Sequence, residues 1–159
     1  MVLYTFTLIT IILDMNILFI VILLFVILEL ANIGILYFAP GTKKWNGLGV
    51  FDAYKKAKQY PEIYALVKYL IYWVAGTKLI FVLLLVVILC TGDDITKVYS
   101  VVVLIISILT FFWKLYPAIR SLDTKWQIHP RWYSTTLAIM IAVFVLMFTV
   151  ALVLYFFVW

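Results

Sequence analysis

Long, almost uncharged apolar runs constrain this chain more than any other feature. A helix needs about 20 apolar residues to cross the ~30 Å hydrocarbon core of a bilayer, and four segments meet that need: 17–39, 66–90, 98–116 and 133–159. Each is bounded by a breaker or a charge. The first ends at Pro40-Gly41, the second at Thr91-Gly92-Asp93-Asp94 and the third at Pro117, while Pro130 is expected in the first turn of the fourth. With 68% of residues apolar and 12% charged, a single water-facing core could not bury this surface. Unbroken runs, where a membrane barrel would alternate apolar and polar residues, exclude that class too. The expected fold is an all-α integral membrane protein, one domain (1–159) of four transmembrane helices in an antiparallel up-down bundle.

Residues 2–13 are also apolar, but as a helix they would reach only about 18 Å, and Asp14 and Asn16 close them off. Segment 1–16 is read as an extension of the first helix or as an interfacial segment. Translation from Met15, with the preceding residues as a weakly constrained lead, stays open.

Lys and Arg in the short connections set orientation. The first connection carries Lys43, Lys44, Lys55, Lys56 and Lys58, with Lys68 at its edge, and the third carries Arg120, Lys125 and Arg131, with Lys114 beside it. The second has Lys97 next to Asp93 and Asp94, and neither tail has a basic residue outside its outermost run. Both ends are therefore expected outside and connections 1 and 3 in the cytoplasm, in a cell inner membrane or an equivalent organellar one. The net charge of +5 is spread between spans and not gathered on one soluble face, so no nucleic-acid partner is expected.

In the first connection, Val50, Phe51, Tyr54, Ala57 and Tyr60 recur at near-helical spacing, with Lys55, Lys56 and Lys58 mostly opposite. This predicts a short amphipathic helix lying in the headgroup boundary. Its lysines, together with Lys43 and Lys44, are candidates for contact with anionic lipids or a partner protein. Trp113, Tyr116, Trp126, Trp132 and Tyr133 read as an aromatic belt around the third connection, with Tyr155 and Trp159 in the outer belt.

Charged groups inside the spans are costly, about 2.5–3.5 kcal/mol each at mid-bilayer on insertion scales, and so should face protein and pair. Glu29 lies about ten residues from the cytoplasmic end of the first helix and Lys78 about ten from Lys68, which puts both near 15 Å depth. Asn32 and Thr77 are their neighbours, and Ser107 falls at a similar level in the third helix. In the fourth, Ser134, Ala138 and Ala142 form a small-residue stripe suited to close helix packing. A polar layer of Glu29, Asn32, Thr77, Lys78 and Ser107, roofed by that stripe, is the candidate site. Its role is either to fix helix pairing and register or to relay protons or ions.

Recognisable enzyme chemistry is thin. Cys90 has no second thiol for a redox pair, and His129, the one histidine, precedes Pro130 in a loop where it can form neither a bis-histidine haem site nor a dyad with mid-helix Ser107. No HExxH, P-loop or GxGxxG pattern occurs. Asp14, Asp93 and Asp94 offer at most a weak set of cation ligands, better read as turn residues. No cofactor and no metal are expected. The expected function is that of a non-enzymatic accessory or structural subunit of a membrane protein complex, with a hetero-complex partner or a homo-oligomer. The alternative is a small oligomeric proton- or ion-coupled transporter or channel using Glu29 and Lys78.

Overall fold

The computed structural model describes residues 16–158, and these are helical apart from turns and one isolated β-bridge. Segment 1–15, with Asp14 and the Met15 start, and Trp159 lie outside the described residues. Helix α1 spans Ile17–Phe38, opened by the Asn16 side chain, which accepts from the Leu18 N–H at 3.0 Å. A 3-10 turn Leu48–Val50 leads into α2, Asp52–Ala57. Helix α3, Pro61–Thr91, starts five residues before the apolar run, because Pro61 at its first position lacks an N–H that would need a partner. Helix α4 covers Asp94–Leu109, α5 Leu115–Thr124 and α6 Tyr133–Val158. Four stretches are long and apolar enough to span a membrane: Ile17–Phe38, Pro61–Thr91, Asp94–Thr124 and Tyr133–Phe157.

Both proline expectations need correcting. Pro117 does not stop the third helix but sits inside the first turn of α5. The break comes earlier, at a 3-10 turn Thr110–Phe112 and at Lys114 (φ −122°). Proline's ring excludes the carbonyl four residues back, so the disturbance falls on the preceding turn and a new helix can begin with the proline in place. Pro130 precedes α6 by three residues, in the segment that folds back before Tyr133.

Helix α1 is the hub, packing mainly on α3 and also on α6 and α4, while α3 and α4 touch little. The main core joins Leu18, Ile22 and Phe25 of α1 with Val82, Leu85 and Leu89 of α3, Val101 and Leu104 of α4, and Phe148 and Ala151 of α6. Phe25 meets Phe144 and Phe148 edge to face, with ring centroids 5.6 and 5.5 Å apart, a geometry that sets the positive ring edge on the negative face. At the other end of α1, Leu36 clusters with Tyr54, Ile71 and Ala75.

The connections 39–60 and 113–132 fold onto each other as one layer. The His129 N–H donates to the Val50 carbonyl at 2.9 Å, the Asp52 N–H to the Gln127 carbonyl at 3.0 Å, and Phe51 and Ile128 form the β-bridge. Val50, Phe111, Ile119, Ile128 and Leu137 make a second core beneath. The short helix α2 thus turns Tyr54 and Ala57 into protein contacts, and only Tyr60 of its expected apolar face stays exposed. This corrects the picture of that face lying in the headgroups: helix α3 and Ile128, near the end of the third connection, offer it closer apolar partners.

Among the described residues, the four non-glycine positions with positive φ, Trp45, Asn46, Trp126 and Trp132, all lie in this layer. Glycines close its tightest turn. A Cβ on Gly49 would stand 2.1 Å from the Gly41 carbonyl oxygen, whereas one on Gly34 of α1 would meet nothing within 4 Å. Gly49→Ala is expected to lower stability by about 1–3 kcal/mol through forced backbone displacement, and Gly34→Ala to raise it slightly. Thermal unfolding of the two variants in detergent checks the contrast.

Candidate functional site

The site follows from helical periodicity. On α1 the buried positions Leu18, Ile22, Phe25, Ile33 and Leu36 recur every third or fourth residue, and Glu29 stands in the gap between Phe25 and Ile33. On α3 the buried series Ile71, Ala75, Val82, Leu85 and Leu89 has Lys78 in its corresponding gap. Each charge thus occupies a seam position where the two helices meet.

The Lys78 Nζ lies 2.6 Å from Glu29 Oε2, with the lysine and glutamate side chains 29% and 21% exposed. That contact is ionic without hydrogen-bond alignment, since Oε2 is buried and has no hydrogen-bond partner among the described residues. Lys78 donates instead to Asn32 Oδ1, also at 2.6 Å. The Asn32 amide then donates from Nδ2 to the Trp45 carbonyl at 2.9 Å, tying the seam to the loop layer. An amide has both donor and acceptor capacity, so a single Asn32 can hold the ammonium and the loop at once. Tyr37, one turn on, stacks on Tyr72 with centroids 6.0 Å apart.

Glu29, Asn32 and Lys78 therefore come together, but Thr77 and Ser107 do not join them. Thr77 is exposed and its hydroxyl donates to the Trp73 carbonyl of its own helix at 2.9 Å. Equal depth is necessary but not sufficient: one residue on from Lys78 is a rotation of about 100° around the helix. Ser107 is exposed on α4, just off the buried line of Val101, Leu104 and Phe111. The small-residue stripe of α6 also drifts, from buried Ser134 through half-buried Ala138 to exposed Ala142. Steps of four residues advance about 40° each. The packed line is Ser134, Leu137, Ile141, Phe144, Phe148 and Ala151, with alternating steps of three and four.

Around the loop layer, Lys43, Lys44, Lys55, Lys56 and Lys58 are all exposed. Lys55 donates to Asp52 at 3.3 Å, and the other Asp52 oxygen lies 3.3 Å from His129 Nε2. The Asp52 carboxyl is held below its ordinary value, first by the Lys55 hydrogen bond; desolvation opposes this and the His129 imidazole adds to the lowering. Burial pushes the Tyr54 phenol up to about 12, with neighbouring Tyr64 acting in the same direction, so it stays neutral. In the second connection, Asp93 accepts from the Thr96 N–H at 2.8 Å as the cap of α4, and Asp94 pairs with Lys97 at 3.2 Å. These are turn roles.

Sequence reasoning missed the junction of the third connection with α6. Asp123 Oδ2 accepts from both the N–H and the hydroxyl of Ser134, at 3.0 and 2.6 Å, and Tyr133 donates to Asn46 at 2.6 Å. Asp123 closes the α6 N-terminus from another helix, a non-local cap that no local spacing signals. No protein-family model, curated protein or solved structure matches the chain.

Proposed function

We propose that the chain is a non-enzymatic membrane protein serving as an accessory or structural subunit of a membrane complex. The observation that carries this reading is the closure of its seam charges on one another: Lys78 is shared by Glu29 and Asn32, and Asn32 is spent on the Trp45 carbonyl. Such a group fixes helix register and couples the bundle to its loop layer, which suits a rigid platform. The layer presents its lysines and Trp45 outward, and α3, attached mainly through α1, presents a stacked Tyr69 and Trp73. These surfaces suit a protein partner and, for the lysines, anionic lipid phosphates.

In this reading the helices run antiparallel, up and down. Leu36 clusters with Ile71 while Leu18 shares a core with Leu89, as opposed directions require. Docking of the first and third connections supports a common side, and their basic residues favour the cytoplasm, with both ends outside. A second reading, an ion- or proton-coupled transporter, draws on the placement of two ionisable groups, Glu29 and Lys78, within apolar spans.

Purification in mild detergent is expected to retain a stoichiometric partner. Charge reversal of Lys43, Lys44, Lys55, Lys56 and Lys58 should release it at unchanged helical content. Reconstituted vesicles should show no proton or solute flux above protein-free controls. Flux that disappears in Glu29→Gln at unchanged folding would overturn the accessory role and establish the second reading.

A further inference from the structure

A cavity of about 370 Å³, open on one side, lies between α5 and the start of α6. Arg120 of α5, Trp126, Arg131 and Trp132 of the third connection, and Thr135 of α6 contribute to its wall. We propose that this pocket binds a phosphate group presented at the membrane surface.

The charges in the wall are unequally committed. Asp123 also lines it, but its Oδ2 is taken by the Ser134 N–H and hydroxyl. Neither Arg120 nor Arg131 has a carboxylate within 4.0 Å among the described residues, where the ion pairs are those of Asp52, Glu29 and Asp94. Arg120 and Arg131 thus line the cavity without a hydrogen-bond acceptor among the described residues, although the Asp123 carboxylate lies near enough to Arg131 to interact with its charge, and a guanidinium fork matches two oxygens of one phosphate.

One of these groups is already held in place. The Arg131 guanidinium carbon sits 3.3 Å from the Trp126 ring centroid, a cation–π contact that restrains the group beside the cavity. Pre-ordering of this kind lowers the entropy lost on binding. Trp126 (φ 61°) and Trp132 (φ 67°) hold left-handed backbone, costly for bulky residues. Backbone held in such regions concentrates at ligand clamps and switches.

Location favours phosphate over other anions. The pocket stands at the ends of the third and fourth spans, among interface-seeking tryptophans, where lipid phosphates reside. The chemistry is shared by two sources, the phosphodiester of an anionic lipid and free inorganic phosphate. The pocket needs only the membrane spans and not a protein partner, so it stands apart from the accessory role.

The test uses the full chain in detergent with equimolar phosphatidylglycerol and phosphatidylcholine, and native mass spectrometry to count retained lipid. Wild type is expected to retain one phosphatidylglycerol over phosphatidylcholine by about fivefold or more. The double variant Arg120→Gln/Arg131→Gln should lose that preference, whereas Lys68→Gln/Lys97→Gln, with the same loss of charge at positions outside the loop layer, should keep it within about twofold. Arg131→Lys, which retains charge without the fork, should lose at least about half of it; it carries the test should the double variant fail to fold.

A second arm measures the unfolding midpoint with millimolar inorganic phosphate against chloride at equal ionic strength. A rise seen in wild type and absent in Arg131→Lys assigns the pocket to soluble phosphate. Lipid preference without that rise assigns it to the lipid. Equal loss of lipid in both double variants, or neither lipid preference nor a phosphate-dependent rise in wild type, would overturn the pocket.

Discussion

Replacing Lys78 alone, as Lys78→Met, is expected to cost about 3–5 kcal/mol of stability, and Glu29→Leu alone a similar amount, while the double variant loses far less. Each single change strands one charge at a helix seam. In Lys78→Met the Glu29 carboxylate loses the ammonium 2.6 Å away, and in Glu29→Leu the ammonium keeps only the Asn32 amide oxygen. The double change removes both desolvation costs and puts apolar groups of similar size at positions flanked by Phe25, Ile33, Ala75 and Val82. Partial exposure of both side chains, 29% and 21%, favours the lower end of the range. Unfolding each of the four proteins in mixed micelles titrated with SDS yields a coupling term, expected to exceed about 2 kcal/mol. Single losses that simply add in the double variant would dissolve the pair.

The pair was legible because two independent regularities agree. Depth counting placed Glu29 and Lys78 at one level, and the three-four spacing of apolar residues puts each on a seam. Thr77 satisfied only the first regularity and faces outward. The same reasoning explains α6, where a stripe of small residues looked like an interface yet rotates away from it by Ala142. Residue size suggested packing, but angular phase decides it.

The loop layer was much less legible. Its spans were foreshadowed by composition, whereas its contacts link residues far apart in sequence: Val50 with His129, Asn46 with Tyr133, Asn32 with Trp45. No periodicity encodes such pairs. Tryptophans 126 and 132 looked like membrane anchors, and their positive φ is a consequence of the fold-back between α5 and α6 that local propensity opposes. Asp123 carried no local signal either, because the residue it caps in the first turn of α6, Ser134, lies eleven residues on.

Phe148→Ala is expected to cost about 2–4 kcal/mol. In a soluble core, truncating phenylalanine loses both transfer energy and packing; in a bilayer the transfer part shrinks, because lipid tails are as apolar as the core. What remains is the cavity. Phe148 is fully buried and seats its ring against Phe25, so its removal deprives α1, the hub helix, of an edge-to-face contact and empties space shared by α1 and α6. The exposed neighbour Val150, cut to alanine, should change stability by no more than about 0.5 kcal/mol. Ala142→Leu separates the two descriptions of α6. On the packed line seen here residue 142 is exposed, so leucine should be accommodated without loss, whereas a close-packed stripe through Ser134, Ala138 and Ala142 would make it clash. Loss in Ala142→Leu together with tolerance of Phe148→Ala would reverse the assignment of the α6 interface and free Phe25 from its role in holding the bundle.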